Sequence, residues 1–405
     1  MIVALVKGFR MPDVFDKIAN WLTDRALEGA DLEETVEQLI DRLIKLGIPL
    51  SRFVIGRTIL HPVIGAYDLT WTARSNRITV TTIPRDRIVE ISTGAPTPFA
   101  RLALGHDKHM RADLTNPKHV ERFAVFARLA AEGATDYAAW GHLVREAVDY
   151  SDSEYPVGAA LSICTNRVTG FSATEIANIE KLIKPLFIHV RMSTEMYLAQ
   201  VLLETYLGRG AGKKVLDGQS ARGMGETINC VLFFSDMRGS TRLSQELAQD
   251  DYLAAVNQYF DCVAGAVQDH GGEVLKFVGD GVLAIFPIDA DLRPVEAMCT
   301  AALSSARDAY ARAAKCQNGP SFGVALHVGE VVYGNVGTSD RLDYTATGLA
   351  VAVACRCEAL TRTLETHIIG TSDFTKSCTQ PATPLGTHTL RGLDDTVDLS
   401  GYGLT

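Results

Sequence analysis

The 405-residue chain contains no uncharged apolar stretch approaching the roughly eighteen residues of a membrane-spanning helix. The apolar run Ile2 to Val6 is too short for a span or for a signal-peptide core. Positive charge is also scarce: the net charge is -9 and no long basic run overrides it, so neither nucleic acid nor an anionic membrane surface is expected as a partner. The eight cysteines include no C-x-x-C, and Cys355 and Cys357 fall in a predicted helix where residues two apart do not face each other. Thiols kept free in a reducing cytoplasm suit this pattern, and the expectation is a soluble, cytoplasmic protein without a membrane anchor. What remains is an ordinary globular composition, 47% hydrophobic and 21% charged, in a chain long enough for two domains.

The stretch richest in chemistry runs from Ile228 to Phe286. Ile228 to Phe234 is an apolar run of strand length, and Asp236 follows it with Gly239, Ser240 and Thr241 behind. A strand, a tight turn and a helix start in that order place unpaired backbone amides beside a carboxylate, a setting for a polyphosphate and a metal. Further on, EVLKFVGDGVLAIF reads as two strands joined at Gly279-Asp280-Gly281. Between them Leu253, Val256, Phe260, Val263 and Val267 form the stripe of an amphipathic helix that stops at Gly271-Gly272. Strand, helix and hairpin can bring Asp236 next to Asp280. Each aspartate alone is an ordinary turn residue; together, beside a phosphate-ready turn, they suggest a site for hard divalent cations shared with substrate phosphates.

FFSDMRGST, KFVGDG, HVGEVVYGNVG and RLDYTATGLAVAVACRCEAL resemble, in order and spacing, successive motifs of the class III nucleotidyl cyclase catalytic domain, over Glu226 to the C-terminus. The resemblance implies a head-to-tail homodimer with active sites at the interface, converting a nucleoside triphosphate to a 3′,5′-cyclic monophosphate and pyrophosphate. It assigns Asp236 and Asp280 as metal ligands for two magnesium or manganese ions, with Met237 contributing from its main chain. Met237, Gly239, Ser240 and Thr241 would hold the triphosphate, and Arg391 would grip it. Arg356 would stabilise the transition state. Lys276 and Thr345 match the two base-selecting positions: lysine donates to the adenine ring nitrogen and threonine accepts from the exocyclic amine, so ATP is favoured over GTP. One position departs from the family, for Ala352 stands where an asparagine is usual, and a lost preorganised donor costs about a hundred- to a thousandfold in turnover at comparable sites. The expected activity is adenylate cyclase. The alternative is a catalytically silent, nucleotide-binding regulatory module of the same fold; a diguanylate cyclase fits GGEVL only superficially, because the acidic pair that should follow the glycines is absent.

Upstream, two amphipathic helices are expected between Met11 and Leu46, then strands at SRFVIGR, YDLTWTA and NRITVTTI, a helical stretch from Pro117 to Ala131 and a strand at AALSICT. GHDKHM reads as a loop, and Cys164, Trp71 and Trp140 as core. The order of elements resembles a GAF or PAS-type sensor domain, whose signal, a small molecule or a protein, has no motif here. A capping box at Ser172 and Glu175 opens a helix to Leu207, interrupted at Pro185, in which Met192, Met196, Ala199, Leu203 and Tyr206 follow a coiled-coil spacing. The expected layout is a sensory α+β domain over 1–184, a signalling helix and Gly-rich connector over 185–225, and an α+β catalytic domain over 226–405. The last is expected to be of the ferredoxin-like split βαβ type, mostly antiparallel with helices on one face. In it EVVYGNVG folds back on SFGVALHVG, and His327 is structural.

Overall fold

The computed structural model describes residues 13–59, 64–85, 87, 97–103, 105–145, 157–393 and 395–404; the Ile2 to Val6 run and Met11 lie outside them. The chain divides into two compact units, Met1–Val201 and Leu202–Thr405. No helix among the described residues is long and apolar enough to cross a membrane.

In the first unit, α1 (Val14–Leu27) buries Phe15, Ile18, Leu22 and Ala26, and α2 (Leu32–Lys45) buries Leu32, Val36, Leu39, Ile40 and Leu43. Asp31 caps α2 by accepting from the Glu34 amide at 2.8 Å, and Gly47, at φ +83°, lets the chain turn out of it. The remaining elements are β1 (Arg52–Thr58), β2 (Ile64–Thr72), β3 (Arg77–Pro84), α3 (Pro98–Ala103), β4 (His109–Asp113), α4 (Pro117–Val120), α5 (Ala124–Ala131), β5 (Asp136–Arg145), β6 (Val157–Thr165) and α6 (Ala173–Leu207). The strands form one sheet in the order β3-β2-β1-β6-β5-β4. Ala138 and Trp140 of β5 join a core with α1, α2 and α6, while Tyr137 and Ala139 join another with α3 and α5. Both faces of this strand are therefore covered. Cys164, Trp71 and Trp140 are buried as expected.

Three expectations for this region are corrected. GHDKHM is not wholly loop, because β4 begins at His109, and its sheet partner β5 is a strand that the sequence does not announce. With both faces buried, DYAAWGHLVR shows none of the alternation by which a half-exposed strand announces itself. The stretch Pro117 to Ala131 is two helices, α4 and α5, rather than one. Finally, α6 does not break at Pro185 but runs through it, 35 residues in all, about 52 Å at 1.5 Å per residue. A proline costs a helix one amide donor and a steric adjustment; here Leu182, Leu186, Phe187 and Val190 are buried on both sides of it in sequence. The capping box is present, with the Ser172 amide donating to Glu175 Oε2 at 2.7 Å and the Glu175 amide to Ser172 Oγ at 3.2 Å. Met196 and Tyr206, on the expected seam, are 58% and 78% exposed.

In the second unit the expected glycine-rich connector contains a helix, α7 (Arg209–Leu216), after a turn at Gly208. There follow β7 (Gly225–Met237), α8 (Ser240–Glu246), α9 (Gln249–Asp269), β8 (Glu273–Val278), β9 (Gly281–Pro287), α10 (Val295–Lys315), β10 (Phe322–Gly337), β11 (Leu342–Thr347), α11 (Leu349–Thr363), β12 (Ile368–Thr371), α12 (Ser372–Ser377), β13 (Thr383–Thr389) and β14 (Thr396–Tyr402). The sheet order is β13-β14-β12-β10-β7-β9-β8, with β11 paired to β10. Its half from β10 to β8, built β-α-β-β-α-β, is the split βαβ arrangement.

Two further expectations change here. EVVYGNVG does not fold back: β10 runs straight through Gly329, and its hairpin partner is β11. Gly329 serves close approach rather than a turn, since a Cβ there would lie 2.6 Å from the Ala350 Cβ of α11. Helices also cover both faces of the sheet. Val231 and Phe233 of β7 pack with α9 and α10, whereas Cys230 and Leu232 pack with α7 and α11. Phe286 of β9 is fully enclosed on the α9/α10 side. Phe286→Ala is expected to destabilise the second unit by about 3–5 kcal/mol, read as a lower denaturant midpoint at unchanged slope.

Candidate active site

Asp236 is delivered by the end of β7, the central strand. In the ladder it faces Gly281 of β9 on one side and Gly323 of β10 on the other. These two glycines make the room: a Cβ at position 281 would lie 3.1 Å from Asp236 Oδ1, and one at 323 would lie 2.3 Å from Glu358 Oε1. Asp280 precedes Gly281 in the β8–β9 turn, and its carbonyl accepts from the Met237 amide at 3.3 Å. The two aspartates singled out in the sequence are therefore brought together. Behind them Tyr259 of α9 donates to Ser235 Oγ at 2.9 Å, both side chains buried, which ties the strand end to the helix. Gly239, at φ +78°, provides the left-handed residue from which α8 starts at Ser240, with Thr241 exposed. The Met237 side chain lies in the core, so a metal contact from this residue falls to its carbonyl.

The Asp236 carboxyl is pushed above the usual carboxylate range, first by burial and then by the charge of Asp280, with the Met237 amide acting in the opposite sense. Neither aspartate makes a salt bridge among the described residues. Two adjacent, unpaired carboxylates, the first disfavoured as an anion by the charge of the second, form a donor set that a hard divalent cation relieves. No group of three or more His, Cys, Asp or Glu suited to a metal occurs among the described residues, so the remaining coordination falls to main-chain, water or phosphate oxygens.

A third carboxyl at the same strand end lies within RLDYTATGLAVAVACRCEAL, where the sequence alone gives it no role. Glu358 of α11 is 7% exposed, accepts from Thr361 Oγ1 at 3.3 Å, and is raised to about 7 by burial first and then by Asp236. It lies two residues from Arg356, hence about 200° around the helix. A helical wheel drawn from Arg356 would have marked it as facing the sheet. Arg356 accordingly points elsewhere: its Nη1 donates to the Ala352 carbonyl at 3.3 Å, and its Nη2 lies 3.7 Å from where a Cβ on Gly392 would be, beside the exposed Arg391. The structure thus gathers Asp236, Asp280 and Glu358 in one place, Arg356 and Arg391 in another. Ala352 shares the Arg356 face and is half-buried.

Lys276, half-buried on β8, stands opposite Leu283 after a bulge at Val274/Lys276. Thr345 is on β11, which lies against β8. It is 5% exposed, and its enclosed Oγ1 has no hydrogen-bond partner. His327 is buried, its Nδ1 2.8 Å from Thr371 Oγ1, and burial holds its pKa down.

Residues 224–397 match the family described as the adenylate and guanylate cyclase catalytic domain. "Adenylate cyclase 1" of Rhizobium meliloti (strain 1021) is 30% identical over 174 residues, 41% of this chain and 26% of that protein. "Adenylate cyclase" of Anabaena cylindrica is 29% identical over 185 residues, 44% of this chain and 36% of that protein. The chain thus covers between about a quarter and a little over a third of these two curated relatives. A solved bacterial light-regulated adenylyl cyclase aligns with a TM-score of 0.39 at 28% identity, covering 44% of this chain and 92% of that one. The similarity to the adenylate and guanylate cyclase catalytic domain thus lies in residues 224–397.

The raised Glu358 carboxyl sets a pH dependence. Folded, it keeps its proton up to about 7, whereas an unfolded glutamate releases it near 4.5. Its contribution to stability is thus complete below the lower value and lost as pH rises through the upper one. Glu358→Gln is expected to be more stable than the parent at pH 8 by about 1–3 kcal/mol and equal to it at pH 4, measured by denaturant unfolding at both pH values.

Proposed function

We propose that the second unit converts ATP to 3′,5′-cyclic AMP and pyrophosphate, at sites completed by a second copy of the chain arranged head to tail. The observation that carries this reading is the division of the site residues: the paired carboxylates of Asp236 and Asp280 at one strand end, and Arg356 on the face of α11 turned away from them. A transition state needing both groups draws the carboxylates from one chain and the arginine from another.

In this reading Asp236, Asp280 and the Met237 carbonyl hold two magnesium or manganese ions, which when bound supply acidification of the ribose 3′-hydroxyl and polarisation of the α-phosphate. The main-chain amides of Gly239, Ser240 and Thr241 receive the triphosphate, as a turn opening into a helix can. Arg391 grips the same phosphates, and Arg356 neutralises charge gathering on the α-phosphate. Lys276 donates to the adenine ring nitrogen and Thr345 accepts from the exocyclic amine; the unspent hydrogen-bonding capacity of Thr345 Oγ1 supports that role.

Within the first unit, residues 1–184 act as a GAF- or PAS-like sensor for a small-molecule or protein signal. Its central sheet with helices on both faces supports that assignment. Control is a population shift between paired catalytic units with separated and with completed sites, passed along α6, whose later residues Met196 and Tyr206 are exposed for pairing with a second helix. The protein works in the cytoplasm.

One observation favours a second reading, a silent nucleotide-binding module: Ala352 offers no side-chain donor on the Arg356 face. The two readings separate by assay of purified protein with magnesium or manganese and ATP or GTP. Cyclic AMP is expected from the parent, none from Asp236→Ala, and less from Lys276→Glu. Ala352→Asn is expected to raise turnover roughly a hundredfold. ATP binding without product from both the parent and Ala352→Asn would establish the silent module instead.

A further inference from the structure

Two cysteines far apart in sequence meet in the second unit. Cys262 Sγ on α9 lies 3.8 Å from Cys316 Sγ, just past the end of α10. Among the described residues no other pair of cysteine sulfurs comes this close with a hydrogen-bonding geometry. Cys262 is buried, 3% exposed, whereas Cys316 is only half-buried and the more exposed of the two. The two helices are already held in register around the pair, because Arg312 of α10 binds both Asp308 of its own helix at 2.7 Å and Asp269 of α9 at 2.6 Å. The Cys316 thiol donates to the Arg312 carbonyl at 3.4 Å. To bond, the sulfurs need to close by about 1.8 Å to the disulfide length of about 2.05 Å, a distance side-chain rotation covers.

We propose that Cys262 and Cys316 are a reversible modification site, a dithiol that small organic disulfides oxidise to an intramolecular bridge. Cys316, the more exposed of the two, attacks as its thiolate on one sulfur of the reagent; the reagent's S–S bond breaks, and one thiol leaves with the proton that Cys316 gave up. Cys262 then attacks the Cys316 sulfur of the mixed disulfide and expels the second thiol. The two cysteines lose two electrons and two protons, and the reagent gains them as two thiols. Burial, with Cys316 second, pushes the Cys262 thiol up to about 11, which suits a resolving rather than an initiating sulfur. The bridge ties the end of α10 to the turn of α9 that also carries Tyr259, whose hydroxyl holds Ser235 beside Asp236. The site stands on the packing of α9 and α10, whether or not the second unit turns nucleotide over.

The test treats the full chain with oxidised glutathione, alkylates the remaining thiols and maps the digest by mass spectrometry. A Cys262–Cys316 linked peptide is expected, with two fewer alkylated cysteines, full reversal by dithiothreitol, and a thermal midpoint raised by about 5 °C or more. Cys262→Ser is expected to stop with one glutathione on Cys316, and Cys316→Ser to take none on Cys262. Absence of the linked peptide from the oxidised parent would overturn the site. Glutathione on Cys262 in Cys316→Ser would overturn the order of attack.

Discussion

The second unit depends on a crowding of negative charge that its sheet enforces. The ladder fixes Asp236 opposite Gly281, so Asp280 cannot move away from it without opening the β8–β9 turn, and Glu358 closes over the same strand end from α11. Desolvation and mutual repulsion then act together, raising Asp236 and Glu358 above ordinary carboxyls. Such a cluster is costly in an isolated fold and becomes favourable only where counter-charge arrives. The rest of the unit holds that cost in place: Tyr259 braces the strand from one face and α11 from the other, while β10 pairs with β7 from Phe322 to Gly334.

The same helix gives the domain its two-sidedness. Glu358 and Arg356 are near neighbours in sequence and nearly opposite on the helix surface, so one face of α11 completes the acidic strand end and the other presents a guanidinium beside Arg391. Helical geometry alone keeps the two groups apart within one chain, which is the physical content behind the proposed pairing of two copies. The family match over residues 224–397 and the separate compactness of Met1–Val201 are in keeping with two folds joined in one chain.

Much of this was legible from residues. The Ile228 to Phe234 run, the turn behind Asp236 and the Gly279-Asp280-Gly281 hairpin carry their structure in local chemistry, as do the caps at Asp31 and Ser172. What was not legible shares one cause, tertiary context overriding a local signal. The strand β5 is buried on both faces and so has no period to detect. Pro185 and Gly329 are punctuation in isolation, yet the first sits within a helix whose buried side continues past it and the second within a strand paired along β7. Glu358 stands within RLDYTATGLAVAVACRCEAL, where nothing local marks it out; only the direction in which α11 faces the sheet reveals it.

Gly329 has a wider meaning. The distance at which α11 rests on the sheet is set there by the absence of a side chain, with Ala350 filling the space a Cβ would need. Even one methyl group would act as a shim under that helix, lifting Glu358 from its seat and re-aiming Arg356 by the same tilt. A position remote from both side chains thus serves as a mechanical calibration point for the two faces of α11, and variation there would alter where Glu358 and Arg356 stand before it altered the chemistry of either.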